Sequence, residues 1–220
     1  MSFFVLDSFP RGSADTEMTE AKGYVQGDAL RCRGCGRYVG GLKWLAPYRA
    51  ELALHGREFG DFVFGGGDDF LVSQNFVTIY RRHGLTGLSG LEPVEIVKVK
   101  SRRKKGPEPP PYFHVVVSRS RTAIDLAASG FEWLEPPNCM ECRLGDIIRW
   151  KRIVIEDGTW TGEDIFIARG LSGTILTSER FKVVCNDNHI TNAIFVPAES
   201  YGHDFYPGLK DPSELYRPSQ

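Results

Sequence analysis

The sequence has no long apolar run. Its purely apolar stretches are short pieces such as 153–155, far below the roughly 20 residues of a membrane span. Residues 3–6 are apolar, but no basic segment precedes them and Asp7 follows, so they predict a first strand and not a signal peptide. We therefore expect a cytoplasmic protein with no membrane partner.

Enzyme motifs are also scarce. The five histidines form no HxxxH pair, and no Gly-x-Ser-x-Gly stretch is present. The glycine-rich stretch 65–69 carries two acids and lacks the Lys-Ser/Thr of a phosphate-binding loop, so it predicts a turn. The acid pairs 156–157 and 163–164 flank a Gly-Thr-Trp turn and are more typical of exposed surface than of a catalytic pair. The sequence thus predicts a protein that is not an enzyme.

Charge is unevenly spread along a chain whose formal net charge is −1. Six of the 27 basic residues lie within residues 98–105, a stretch without an acid. The rest of the chain carries 21 basic and 28 acidic side chains, a balance of −7. An acidic body disfavours general nucleic-acid binding, which depends on a broad positive surface. It suits a basic protein partner.

The apolar pattern predicts an α+β fold, mostly antiparallel sheet with a few short helices. Four stretches have the alternation or composition of strands: 92–100, 112–117, 146–155 and 163–167. The basic and proline-rich stretch 101–111 cannot pack a core and predicts an exposed hairpin tip. We expect residues 1–220 to form a single integrated unit that ends in a tail at 201–220.

Two features recur along the chain at nearly the same spacing. The two CxxC pairs are 107 residues apart, and residues 71–76 match 176–181 at an offset of 105. Ser73 and Ser178 each precede a helical apolar pattern, as N-cap residues do. Either the chain consists of two related halves, approximately 20–118 and 122–200, or two helix–strand units are alike by chance. The first interpretation predicts halves joined by a pair of zinc knuckles.

The sharpest chemical signal is the cysteine set Cys32, Cys35, Cys139 and Cys142. Zinc prefers tetrahedral thiolate coordination, and each CxxC loop places two sulfurs on one ion. The alternatives are disulfides, which are rare in a reducing compartment, a thioredoxin-like redox pair, which requires a βαβ unit, or buried thiols without metal. We predict one structural Zn²⁺ per chain, because four thiolates leave no open position for water or substrate. Cys185 lies in an apolar helical pattern and is expected in the core.

A family resemblance is carried by several short stretches: Cys32-Arg33-Gly34-Cys35-Gly36, the second CxxC, Glu163-Asp164-Ile165-Phe166, residues 175–181 and Phe195-Val196-Pro197. Together they resemble the double-CXXCG-motif family of bacterial immunity proteins. The resemblance implies that the chain neutralises a cognate toxin. One position departs from the motif, since Arg143 follows the second CxxC where the family has glycine. A residue other than glycine costs about 1 kcal/mol there if the turn is left-handed.

Three functional hypotheses follow. The leading one is an immunity protein that binds a cognate and basic toxin by stoichiometric contact. The alternative is a zinc-ribbon protein that binds nucleic acid or regulates, using the basic stretch 98–105, and the third is an enzyme with an unrecognised site. For the first hypothesis we expect the contact to centre on exposed aromatic residues ringed by acids, near Trp160 and Tyr201.

Overall fold

The computed structural model describes residues 1–7, 12–65, 70–101 and 107–204. Three sequence predictions concern parts that lie outside these residues: the basic tip at 102–105, most of the turn at 65–69 and most of the tail at 201–220. Within the described residues, no helix has the length and apolar character needed to cross a membrane.

The described residues form fifteen strands, two α-helices and one short 3₁₀ turn at Ala198–Ser200. In chain order the elements are β1 (Phe3–Asp7), β2 (Thr16–Glu20), β3 (Val25–Arg31), β4 (Tyr38–Leu45), β5 (Arg49–Leu54), β6 (Phe62–Phe64), β7 (Phe70–Ser73), α1 (Gln74–Arg82), β8 (Leu88–Ser101), β9 (Tyr112–Val117), β10 (Arg119–Ala123), β11 (Glu132–Glu135), β12 (Asp146–Arg149), β13 (Ile165–Arg169), β14 (Leu176–Ser178), α2 (Glu179–Asp187) and β15 (Ile194–Pro197).

The predicted α+β class with mostly antiparallel sheet is confirmed. The strands expected at 92–100, 112–117 and 163–167 are present as β8, β9 and β13. The strand expected at 146–155 is shorter than predicted, because β12 ends at Arg149. Beyond it, only Ile155 makes an isolated bridge, to Ile124. Ile153 is buried in a core, which explains why the apolar pattern continued past the strand.

Six strands form a closed barrel in the order β2-β5-β8-β9-β7-β6. The barrel closes where β2 pairs in parallel with β6, at Glu17 and Phe64. Buried residues alternate along β5, as expected for a strand with one face on a core. Leu52, Leu71 and Tyr112 pack together in the cluster that this face buries. The barrel therefore has an apolar core of its own.

The other large sheet has five strands in the order β10-β13-β14-β1-β15. Strand β1 pairs antiparallel with β14, where Phe3 lies opposite Ser178, and with β15, where Val5 lies opposite Val196. The early apolar stretch is thus a strand, as predicted, and its two neighbours come from late in the chain. Residues near the two ends of the sequence share one sheet.

Both predicted serine caps are confirmed. Ser73 accepts a hydrogen bond from the amide of Phe76 at 3.1 Å, and Ser178 accepts one from the amide of Phe181 at 3.2 Å. Each cap satisfies one free amide of a helical first turn, so each nine-residue helix begins directly after a strand. The rings of Phe76 and Phe181 are fully buried, with centroids 6.0 Å apart. The two helices therefore meet in one shared core.

Asp61 links the first helix to the later part of the chain. It precedes β6, and its carboxylate accepts a hydrogen bond from the Ser73 hydroxyl. The same carboxylate accepts from the amide and the hydroxyl of Thr191, at 3.0 and 2.9 Å. A single buried side chain thereby fixes a helix cap and a loop 130 residues away.

Asp164 makes the converse link. It precedes β13 and accepts a hydrogen bond from the Ser178 hydroxyl at 3.0 Å. It also accepts from the amide and the hydroxyl of Thr86, at 3.0 and 3.2 Å, and pairs with Arg180 at 2.7 Å. The sequence indicated an exposed turn acid, but Asp164 is only 3% exposed. That interpretation was wrong because the three hydroxyl and amide donors compensate the burial of the carboxylate.

Two small hairpins complete the fold, β3 with β4 and β11 with β12. The loop of the first hairpin contains the first CxxC, and the loop of the second contains the other. Each hairpin is a two-stranded sheet, a unit that is marginal by itself in water. Their loops therefore need a further contact to hold them in place.

Candidate metal centre

The four predicted cysteines lie together, although 107 residues separate the two pairs. The Sγ atoms all lie within 4.8 Å of one another. The sulfurs of Cys32 and Cys139 are 3.8 Å apart, and those of Cys35 and Cys142 are 3.7 Å apart. Four sulfurs at about 2.3 Å from a central ion have edges of about 3.8 Å in a tetrahedron. The two distances match that geometry.

The two CxxC loops with their closing residues are here called the first knuckle (32–36) and the second knuckle (139–143). Both have the same backbone hydrogen bond. The amide of Gly36 donates to the carbonyl of Cys32 at 2.9 Å, and the amide of Arg143 donates to the carbonyl of Cys139 at 2.9 Å. Both donors are left-handed, with φ of +75° at Gly36 and +56° at Arg143. The departure from glycine at the second knuckle therefore carries the backbone cost expected from the sequence. The Arg143 guanidinium is held in an ion pair with Glu156.

The thiols are chemically suited to a soft cation. All four are free, and none forms a disulfide. The amides of Cys142 and Glu141 donate to the sulfur of Cys139 and lower the pKa of Cys139 to about 7. Burial raises the pKa of Cys142 to about 12. One sulfur is thus available as a thiolate near neutral pH, and a bound cation would favour the deprotonated form of the others. The set can hold a metal ion.

Cys185 is separate from this cluster. Its side chain is fully buried in the core shared by the two helices. Burial raises the pKa of the Cys185 thiol to about 12. The prediction of a core residue is confirmed.

The two aromatic residues expected at a contact surface, Trp160 and Tyr201, are half-buried against a core. Trp160 packs edge-on against Phe3 with ring centroids 5.6 Å apart, and its Nε1 donates to the carbonyl of Glu163 at 3.1 Å. Tyr201 is half-buried in the same cluster, and this burial raises the pKa of its hydroxyl. Both rings are partly exposed, and Trp160 lines a cavity with Glu156, Asp157 and Glu199. The contact near these residues stays a prediction.

The sequence analysis missed a basic surface beside the cysteine cluster. Five arginines line one groove of about 880 Å³: Arg31, Arg33, Arg119, Arg121 and Arg169. Arg31 and Arg33 are two residues apart at the end of β3, and Arg119 and Arg121 are two residues apart in β10. In a strand this spacing places side chains on one face. This alternation was the available signal. It was overlooked because the run at 98–105 dominated the charge count.

The comparisons with known proteins agree with the resemblance seen in the motifs. No curated protein matches the chain. The model of the Imm11 immunity protein family matches residues 88–200, which include the second knuckle, α2 and strands β8 to β15. This match covers just over half of the 220 residues, and the chain belongs to the Imm11 immunity protein family.

Proposed function

We propose that this protein binds a cognate toxin and neutralises it by stoichiometric contact, without turnover of its own. The observation that carries the proposal is the match of residues 88–200 to an immunity protein family. The cysteine cluster supports a role without catalysis, because four thiolates leave a bound ion no open position for substrate. The reduced cysteines favour a cytoplasmic location, since disulfides are rare in that compartment.

We further propose that the cluster holds one Zn²⁺ ion with a structural role. The support is the all-cysteine donor set and the two sulfur–sulfur distances near 3.8 Å. An ion at this position would join the loops of two hairpins that are marginal alone. Elemental analysis of freshly purified, reduced protein should find about one zinc per chain. This part of the proposal would be refuted if the protein purifies without zinc and its thermal stability is the same with and without added zinc.

We infer that the two halves are related and form one integrated unit. The match now extends beyond the serine caps, because the two aspartates occupy equivalent positions before β6 and β13. Each aspartate bonds the serine cap of its own half and a threonine of the other half. These reciprocal bonds, the shared phenylalanine core and the joined cysteine knuckles all link the halves. Their sheets differ, since one half builds a closed barrel and the other an open sheet.

The charge count supports a toxin that is basic overall. Outside residues 98–105 the chain has seven more acidic than basic side chains. Opposite net charge accelerates the association of two proteins and makes it sensitive to salt. A toxin that attacks nucleic acid would need positive charge for its own substrate. The charge of the toxin is a proposal that follows from this complementarity.

The test expresses the product of the adjacent gene, as the candidate toxin, in cells with and without the protein. We expect survival only where the protein is present. A titration of expression separates binding from catalysis. A stoichiometric inhibitor protects only when it is at least as abundant as the toxin, whereas an enzyme protects at a small fraction of that level. Equal killing with and without the protein would refute the function, and protection at a hundredth of the toxin level would refute stoichiometric contact.

A further inference from the structure

The arginine groove, lined by the five arginines named above, lies where three parts of the chain meet. One wall is the first knuckle with the end of β3, and the other is formed by β10 and β13. Glu141, Cys142 and Leu144 of the second CxxC loop complete it. Its volume of about 880 Å³ is within the range of about 300–1,000 Å³ that is usual for binding clefts. The joined knuckles thus shape the groove.

Charge in this groove opposes the charge of the whole protein. Among the described residues that line it, Glu141 is the one carboxylate, and Cys32 and Cys142 of the cysteine cluster line it as well. Arg33 and Arg121 are exposed, and within the described part of the chain neither makes an ion pair. The Nε of Arg169 donates to the carbonyl of Arg121 at 2.9 Å, which fixes one guanidinium at the wall. The groove therefore presents several guanidinium groups to a ligand.

The cysteine cluster does not by itself account for these arginines. A zinc ion with four thiolates carries a net charge of −2, which nearby cations can offset. Arg37, two residues after Cys35, lies outside the groove lining and forms an ion pair with Asp146. The cations on β10 and β13 belong to the other wall of the groove. Cys32 and Cys142 line the same groove, but five arginines still outnumber one carboxylate and a cluster charge of −2. The groove can therefore accept a further anion.

The floor of the groove is aliphatic. Val117, Leu144 and Ile167 are buried beneath it, and Val116 is 46% exposed at its side. Among the residues that the structure describes, no aromatic side chain lines it. Proteins that bind single-stranded nucleic acid stack bases on aromatic rings, so this floor lacks their main contact. Guanidinium groups above aliphatic side chains match a peptide that carries both carboxylates and aliphatic residues.

We propose that the arginine groove binds an acidic segment of the toxin, with carboxylates on Arg33 and Arg121 and an aliphatic residue on the floor. This inference rests on the proposed function. It is compatible with a toxin that is basic overall, because net charge acts over the whole surface and groove contacts act within a few ångströms. The groove then determines which toxin is recognised, and the net charge determines how quickly it arrives.

Two charge reversals test the groove. In the variant Arg33→Glu/Arg121→Glu, affinity for the toxin encoded beside this gene should fall at least about a hundredfold, about tenfold for each reversed contact. Arg121→Glu alone, which is remote from the metal ligands, should fall about tenfold. The matched control, Arg57→Glu/Arg82→Glu, makes the same change in net charge at two exposed sites away from the groove and should retain wild-type affinity. Zinc content and thermal unfolding should be the same for all three variants.

Each outcome separates the groove from the function. If the wild-type chain neither binds nor protects, the proposed function fails. If it binds and the groove and control variants bind equally well, the function stands and the groove inference is overturned. Restored binding of the Arg121→Glu variant to a toxin with lysine in its acidic segment would identify the contact. If the wild type binds labelled single-stranded DNA or RNA, and Arg33→Glu/Arg121→Glu loses that binding but still binds the toxin, the groove is assigned to nucleic acid and the proposal is overturned.

Discussion

The first cysteine knuckle closes with Gly36 and the second with Arg143, yet both backbones make the same turn. Each turn has a left-handed residue and an amide–carbonyl bond of 2.9 Å. A glycine adopts this conformation freely, whereas an arginine adopts it at a cost. At the second knuckle the arginine side chain gains an ion pair with Glu156 that a glycine lacks. The position therefore requires a left-handed backbone, and glycine is only one way to meet that requirement.

Asp61 and Asp164 can be compared in the same way as the two knuckles. Asp61 has a further neutral donor, the Asn75 side chain at 3.1 Å, whereas Asp164 has the charged guanidinium of Arg180 at 2.7 Å. The geometry of the helix cap is nevertheless the same at both positions. The two sites thus share the hydrogen bonds that fix the backbone and differ in the side chains around them.

The largest effect on metal binding and stability is expected when a cysteine of either knuckle is replaced. Cys35→Ser and Cys142→Ser should each abolish zinc binding and lower thermal stability strongly, because one lost ligand opens the tetrahedral set and metal binding is coupled to folding. Cys185→Ala is the control that should keep the metal. Elemental analysis and thermal unfolding measure both effects. Retention of zinc in one of the two serine variants would show that the knuckles are not equivalent.

The next effect concerns the aspartate links. Asp61→Asn and Asp164→Asn should each reduce the free energy of unfolding by about 1–3 kcal/mol, because an amide nitrogen then faces buried donors. Asp164→Asn should cost more, since Arg180 also loses its ion pair. Urea denaturation of the two variants gives the comparison. Gln74→Ala, an exposed change on α1, serves as the control near one cap. A neutral result at either aspartate would contradict its role as a link between distant parts of the chain.

Exchange at the closing residues gives a smaller effect. Gly36→Ala should lose about 1 kcal/mol of stability from backbone strain alone, because a Cβ at this position meets no atom within 4 Å. Arg143→Gly removes similar strain but also the contact with Glu156, so its net change should be within about 0.5 kcal/mol. Chemical denaturation measures both. A stability gain near 1 kcal/mol in Arg143→Gly would show that the ion pair contributes nothing.

The smallest effect is a dependence on pH at the second knuckle. The hydrogen bond from Arg143 lowers the pKa of Glu156. Because this pKa is lower in the folded state, the stabilisation is complete above the unfolded value of about 4.3 and is lost as pH falls through the folded value. Unfolding measured between about pH 5 and 3 should therefore have a shallower acid slope in Glu156→Gln than in the wild type. Identical slopes would contradict the pair.

Much of the fold was predictable because its signals are local. Apolar alternation identified β8 and β9, and a serine before a helical pattern identified the starts of α1 and α2. The cysteine cluster was predictable because metal geometry limits how CxxC pairs combine. The sequence indicated a backbone cost at Arg143 only if that turn is left-handed, and the structure shows that it is.

The remaining features depend on contacts between distant residues. The aspartates precede strands as ordinary turn acids would, and only the pairing of Asp61 with Thr191 and of Asp164 with Thr86 explains their burial. The barrel closes through one parallel pair, β2 with β6, which carries no local signal. The five arginines of the groove come from three strands and one loop. A count of charges along the chain therefore did not detect the groove.

The position of β1 between β14 and β15 has a consequence for when this protein first exists in the cell. A ribosome that makes residue 3 must add about 190 more residues before residue 197 emerges, which takes roughly 10 to 40 s at about 5–20 residues per second. Until then the first strand has neither of its neighbours. A chain that stops before residue 194 lacks β15 and leaves one edge of β1 unpaired. If the proposed function holds, protection thus requires a reserve of finished molecules, made before the toxin arrives.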